Sequence, residues 1–312
     1  MLDNGYGIGL YAPAGFVTNP AALERAVARL SMLGHRVVVD ATCTTRWERF
    51  SASDDARLAA IGRMADDPRV EVAIAARGGY GWSRLLDRID FRGVAEKGKR
   101  WLGHSDFTAF QLAALAHAGM TTFAGPMATD FGAATPSAFT LDHCWGLFDN
   151  DHHDVECVLD GPDFAGEGTL WGGNLAMVAH LAGTPHLPHV DHGILFLEDI
   201  GEHPYRIERM LYQLHFAGIL ARQRAVLLGV FNGYDLGPND NGYDAAAMVA
   251  HFRAKLGVHL YTGLPFGHVP EKLTLPVGGH CALTVRDGRA QLAFSDYGHR
   301  RREAFAADTV NR

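Results

Sequence analysis

Short apolar runs that alternate with amphipathic segments are the feature that most limits what this chain can fold into. Ile8 to Ala12, Arg36 to Asp40 and Val70 to Ala76 read as extended runs. Between the first two, Leu23, Val27, Leu30 and Leu33 recur at helical spacing. Strand, helix and strand in succession call for a parallel sheet with helices on its faces. The boundaries are punctuated to match: Asn19 and Pro20 open the first helix as cap and first residue, and Gly34 stops it. Ser53 to Met64 reads as a second helix, and a short one surrounds Trp82 to Ile89. An extended stretch from Lys99 to Gly103 then passes without a spacer into a helix from Asp106 to Ala118, whose Phe107, Phe110, Leu112 and Leu115 can pack on the sheet.

The texture changes near residue 150, where Asp149-Asn150-Asp151-His152-His153-Asp154 forms a polar run followed by a loop-rich stretch from Gly161 to Gly168. These signals predict an N-terminal α/β domain over residues 1–150, a linker over 151–168 and a C-terminal α/β domain over 169–312 with a β-rich portion. The second domain is expected to hold a helix from Gly173 to Leu181, a strand from Ile194 to Glu198 and a helix from Tyr205 to Phe216. A strand from Ala225 to Val230 and a helix from Ala245 to Leu256 follow. Cys281 to Val285 and Ala290 to Phe294 alternate as a hairpin turning at Asp287-Gly288.

A chain of 312 residues, 47% of them hydrophobic, can bury a full core. Its net charge of -7, without long like-charge runs, gives no footprint for nucleic acid or an anionic membrane. No segment has the roughly 18 consecutive apolar residues of a membrane span. Cys43, Cys144, Cys157 and Cys281 are scattered, which suggests neither a zinc site nor a disulfide framework and favours a reducing compartment. With no basic, apolar leader in Met1-Leu2-Asp3-Asn4-Gly5, the expected location is cytoplasmic.

Ligands of parallel sheets gather at the carboxyl ends of the strands. Two features fall there: Arg77-Gly78-Gly79-Tyr80-Gly81, and Ser105 within Gly103-His104-Ser105-Asp106-Phe107. A serine at a strand-to-helix turn is either a helix cap or an exposed nucleophile with helix N–H groups beside it. The glycine run is a nest that can hold an anion or oxyanion, or a simple tight turn, and it lacks both the P-loop ending and the dinucleotide spacing. Acyl transfer at a serine also needs a base and an acid to orient it. Glu198 ends an apolar strand and is either that acid or a salt-bridge partner of Arg206 or Arg209. His268, one of 17 histidines, lies in the turn-rich Leu264-Pro265-Phe266-Gly267-His268. His152-His153 and His186, His189 and His192 read as solvated loops, not as metal ligands.

Together, Ala12-Pro13, Arg77-Gly78-Gly79-Tyr80-Gly81, Gly103-His104-Ser105-Asp106, Gly172-Gly173-Asn174-Leu175, Leu197-Glu198-Asp199-Ile200 and Phe266-Gly267-His268 resemble the LD-carboxypeptidases. These are muramoyltetrapeptide carboxypeptidases, serine peptidases with a Ser-Glu-His triad. The resemblance implies Ser105 as nucleophile, Glu198 as orienting acid, His268 as base, and the N–H groups of Asp106 and Gly79 as oxyanion hole. It implies removal of the terminal D-alanine from a murein peptide, no metal or organic cofactor, and a homodimer. Asn174 and Arg206 are the candidates for holding the substrate's terminal carboxylate. Asp106-Phe107 follows the serine where the usual nucleophile elbow has a glycine two positions on, which separates the chain from the standard α/β-hydrolases. The rival readings are a related peptidase that cleaves a peptidyl-nucleotide antibiotic, and a binding protein that holds an anionic metabolite without chemistry.

Overall fold

Local punctuation sets the first half. The computed structural model describes residues 5–255 and 257–298, so the N-terminal reading at residues 1–4 lies outside the described residues. In chain order come β1 (Gly7–Tyr11), α1 (Pro20–Met32), β2 (Arg36–Val39), α2 (Asp54–Asp66), β3 (Val72–Ala75), α3 (Phe91–Glu96) and β4 (Arg100–Gly103). They are followed by α4 (Thr108–Ala118), β5 (Thr122–Ala124), α5 (Ala128–Phe131) and α6 (Ala138–Asp149). Asn19 caps α1 by accepting from the Ala22 N–H, and Ser53 caps α2 by accepting from Ala56. Trp82 to Ile89 forms two 3₁₀ turns instead of one short helix. The inner strands β1, β3, β4 and β5 are buried almost throughout, as a helix-covered parallel sheet requires, whereas β2 at the edge is partly exposed. Ile8, Leu10 and Ile74 pack with Leu23 and Leu30 of α1, whereas Tyr11, Ala73 and Trp101 pack with Ile61 and Met64 of α2 and Phe110 of α4.

The second half continues with β6 (His153–Val158), β7 (Phe164–Asn174), α7 (Leu175–Leu181), β8 (Ile194–Ile200), α8 (Pro204–Phe216), β9 (Ala225–Asn232) and α9 (Ala245–Lys255). It ends with β10 (His259–Thr262), β11 (Leu275–Val277), β12 (His280–Arg286) and β13 (Arg289–Ser295). Residues 151–168, expected to be a linker, hold β6 and the first part of β7. The helix expected from Gly173 starts at Leu175, because β7 runs through Asn174. The helix expected to reach Leu256 extends to Lys255, and residue 256 lies outside the described residues. The hairpin turns at Asp287 (φ 49°) and Gly288 (φ 77°), two left-handed residues that match the twist of the flanking strands.

Among the described residues, one sheet has the order β11-β5-β4-β3-β1-β2 and the other β10-β9-β8-β7-β12-β13-β6. The first is parallel from β2 to β5, with β11 antiparallel on its edge. The second is parallel from β7 to β10 and antiparallel from β7 through β12 and β13 to β6. Long β7 belongs to both patterns: residues 164–169 pair with β12 and residues 170–174 with β8. The chain leaves β1 toward β2 and then crosses back to β3 on its other side. The switch point, where folds of this kind place their ligand crevice, therefore lies between the loops after β1 and β3. The carboxyl ends of the two sheets meet where the Asn174 N–H donates to Thr108 Oγ1 at 3.0 Å. No helix among the described residues is long and apolar enough to cross a membrane.

Candidate active site

Ser105 follows β4 by two residues and has φ 65°, a left-handed conformation that costs a non-glycine residue about 1–2 kcal/mol. The serine is not a helix cap: the turn Ser105–Phe107 is 3₁₀, and His104 precedes it with no side-chain cap. The turn is held in place by Asp106, whose buried Oδ2 accepts from the N–H of Trp82 at 3.1 Å and whose carboxylate is further stabilised by the Gly81 N–H. Burial raises the Asp106 carboxyl to about 6, against the partial relief of those two N–H groups. The glycine loop is thus tied to the serine's turn. Gly78 makes this approach possible, since a Cβ there would lie 2.8 Å from Ser105 Cβ and 2.9 Å from its Oγ. Gly79, at φ 106°, turns toward Gly15 and the Arg77 guanidinium.

Glu198 is fully buried near the end of β8. Its Oε2 lies 2.7 Å from His268 Nδ1, and its Oε1 accepts from Asn174 Nδ2 at 3.3 Å. Because a carboxylate only accepts, the proton of this contact sits on Nδ1, and Nε2 of the neutral ring presents its lone pair. The alternative partners of Glu198 are excluded by position: Arg206 pairs with Glu202 at 3.6 Å, and Arg209 lies over the Tyr205 ring. Gly267, at φ 146°, brings the histidine loop against β8, where its Cβ would sit 3.5 Å from that of Glu198. Asn232 of β9 supports the loop by donating to the His268 carbonyl at 3.2 Å.

Asn174 was expected to face substrate, and its side chain is committed elsewhere. Its amide nitrogen donates to Asp199 Oδ1 at 2.9 Å as well as to Glu198, and its Oδ1 accepts from Met177 to cap α7. Asp199 in turn accepts from the N–H groups of Ala176 and Ile200, and burial raises its carboxyl. Arg206 is half exposed and engaged with Glu202 and the Tyr205 hydroxyl. The sequence reading passed over His104, which is buried beside His268 with ring centroids 5.2 Å apart. Its Nδ1 donates to the Gly125 carbonyl at 2.9 Å. Burial, reinforced by Lys272, lowers its pKa to about 3, so it stays neutral at working pH. A cavity of about 370 Å³ opens on this side, lined by His104, His268, Met127, Thr129, Asp130 and Lys272. Lys272 and Asp130 close it with a 2.7 Å ion pair.

The histidine clusters are not uniformly solvated. His152, His189 and His192 are exposed, but His153 lies in β6 against His143 at 2.9 Å, and His186 bridges His117 and Asp87 at 3.0 Å each. Among the described residues no group of three or more His, Cys, Asp or Glu side chains is arranged to hold a metal ion.

Comparison with known proteins decides the family. Residues 8–125 match the LD-carboxypeptidase N-terminal domain, and residues 167–283 match the LD-carboxypeptidase C-terminal domain. The chain belongs to the LD-carboxypeptidase family. This LD-carboxypeptidase is similar to the crystal structure of a muramoyltetrapeptide carboxypeptidase from Oxalobacter formigenes, with 47% identity and a TM-score of 0.88 over 93% of this chain and 99% of that one. It is 31% identical to a murein tetrapeptide carboxypeptidase of Pseudomonas aeruginosa over 88% of this chain and 92% of the relative. It is 28% identical to a probable murein peptide carboxypeptidase of Bacillus subtilis over 93% of this chain and 92% of the relative.

Proposed function

We propose that this LD-carboxypeptidase removes the terminal D-alanine of murein tetrapeptide, with Ser105 as nucleophile, His268 as general base and Glu198 as the group that holds the base. The observation that carries this reading is the 2.7 Å contact of His268 Nδ1 with fully buried Glu198, with the His268 ring 5.2 Å from that of His104, the residue that precedes a serine held at positive φ. His268 Nε2 takes the hydroxyl proton as Ser105 Oγ attacks the scissile carbonyl, and buried Glu198 stabilises the imidazolium that forms. That imidazolium gives its proton to the leaving amine, and D-alanine departs from an acyl-serine. Water, deprotonated by the same nitrogen, then releases the tripeptide. His104 assists by staying uncharged, so no second cation opposes the imidazolium 5.2 Å away.

The oxyanion is assigned to the N–H groups of Asp106 and Gly79. The Gly78 carbonyl accepts from the Gly15 N–H at 3.1 Å. In a planar trans peptide the N–H of Gly79 is directed to the opposite side, which supports this assignment. Substrate class is supported by the 47% identity to a muramoyltetrapeptide carboxypeptidase. A reducing, cytoplasmic location is supported by four free cysteines. Incubation with murein tetrapeptide, with and without a chelator, should release D-alanine equally, and Ser105→Ala should stop it. Wild-type protein that releases none would overturn the reading.

An aromatic group at the carboxyl ends of β8 and β9 favours a second reading. His203 lies between Tyr205 and Tyr234, with centroids 5.6 and 5.9 Å apart, and could stack a nucleobase. Hydrolysis of a peptidyl-nucleotide in preference to murein tetrapeptide would support that alternative.

A further inference from the structure

We propose that the crevice between the loops after β1 and β3 is a carboxylate-binding subsite, built from Arg77 with Arg49 and Arg46. The inference rests on the peptidase reading and extends it to how the substrate is recognised. Position comes first: this is the topological switch point of the first sheet, where such folds bind ligands. Arg77 immediately precedes Gly78, the residue in contact range of Ser105. Its guanidinium packs against Gly15 and Gly79, each of whose Cβ positions would lie 3.4 Å from it, and one nitrogen donates to the Phe16 carbonyl at 3.1 Å. That single bond leaves most of the five guanidinium donors without a protein acceptor.

Charge accounting singles out the same residues. Among the described residues the other cations near the site are neutralised: Lys272 by Asp130, Arg206 by Glu202, and Arg57 by Asp54. Arg57 additionally clamps the carbonyls of Pro13 and Gly81 at 2.6 and 3.0 Å, which fixes the two loops that form the crevice. Arg46, Arg49 and Arg77 form no ion pair with any described residue, although the chain as a whole carries a net charge of -7. Arg46 lies over the Phe16 ring at 4.2 Å and Arg49 over the Tyr80 ring at 6.0 Å, so aromatic faces hold the rim cations without cancelling them. Arg77 is half-buried, and burial together with the nearby Arg49 charge makes its own charge costly. An anion seated in the crevice relieves that cost, and the anions a peptide substrate brings are carboxylates.

The test uses four tetrapeptides: all carboxylates free, only the terminal carboxylate amidated, only the upstream carboxylates amidated, and all amidated. In the wild type, amidating the carboxylate that the crevice reads should lower kcat/KM by about 10- to 100-fold. Arg77→Gln should show that loss on the free acid, mainly through KM, with no further loss when the same carboxylate is amidated. The peptide that erases the difference names the carboxylate. Arg49→Gln, at an exposed position whose fold contact is the Tyr80 ring at 6.0 Å, should show the same pattern with a smaller amplitude, and Arg69→Gln, paired with Asp67 before the amino end of β3, should show none. Equal losses on all four peptides in both Arg77→Gln and Arg49→Gln would overturn the subsite while leaving the peptidase reading intact. A wild type that releases no D-alanine from any of them removes both.

Discussion

His104 should give this enzyme a measurable weakness toward acid. Its folded-state pKa is about 3 and its ordinary value 6.5, so the native protein resists a proton that the unfolded chain accepts. This contribution to stability is intact above about pH 6.5 and is lost progressively as pH falls toward about 3. Between pH 7.5 and 5.0 the loss is about 2 kcal/mol, from roughly 1.5 pH units at 1.36 kcal/mol each. Asp106 works in the other direction. Its carboxyl stands at about 6 when folded, so protonation below that pH stabilises the native state and partly hides the histidine's effect in the wild type. The informative quantity is therefore a difference between two proteins. His104→Gln keeps a donor for the Gly125 carbonyl and has nothing to titrate. Urea unfolding of both proteins at pH 7.5 and 5.0 should show the wild type losing about 2 kcal/mol more than the variant over that interval. Equal losses would refute the claim that burial holds His104 neutral, and with it the explanation of how His268 is spared a charged neighbour.

Ser105→Gly should abolish D-alanine release while leaving thermal stability unchanged or raised by up to about 1 kcal/mol, because glycine accepts φ 65° without strain; a clear drop in Tm would count against the strain. Asn174→Ala should cost about 3 kcal/mol in urea titrations, through a lost helix cap and lost donors to two buried carboxylates, and should lower kcat more than it raises KM. Asp106→Asn should remove the fall in stability that the carboxyl imposes as pH rises from 4 to 6, about 3 kcal/mol in full, seen as a flatter profile of Tm against pH than the wild type.

The parallel first sheet was legible because its strands are apolar on both faces and its helices carry caps at the expected places. Stretches where packing requires residues that read as loop were not. Gly166 and Gly168 suggested a linker, yet they lie inside β7, and a Cβ on Gly168 would meet the His192 carbonyl oxygen at 2.1 Å. β11 contains Pro276, which argues against a strand in sequence but is tolerated at a sheet edge. Ser105, Glu198 and His268 stood out through their motifs, and their surroundings did not. Asn174 looked like a substrate contact because nothing in its neighbours reveals that β7 places it opposite Glu198 on β8. Arg77 was read only as the start of a glycine loop, since a missing counter-ion is a property of three dimensions.

The edge pairing of β11 with β5 also bears on how this protein is made. Its partner β5 is only three residues long, with Phe123 buried, and lies more than 150 positions earlier in the chain, at Thr122–Ala124 against Leu275–Val277. During synthesis the first sheet therefore waits with an open edge while the entire second sheet's parallel strands emerge. A fragment ending near residue 150 keeps that edge exposed, a template for pairing with other chains. The two halves are matched as separate domains by sequence, but as folding units they close together.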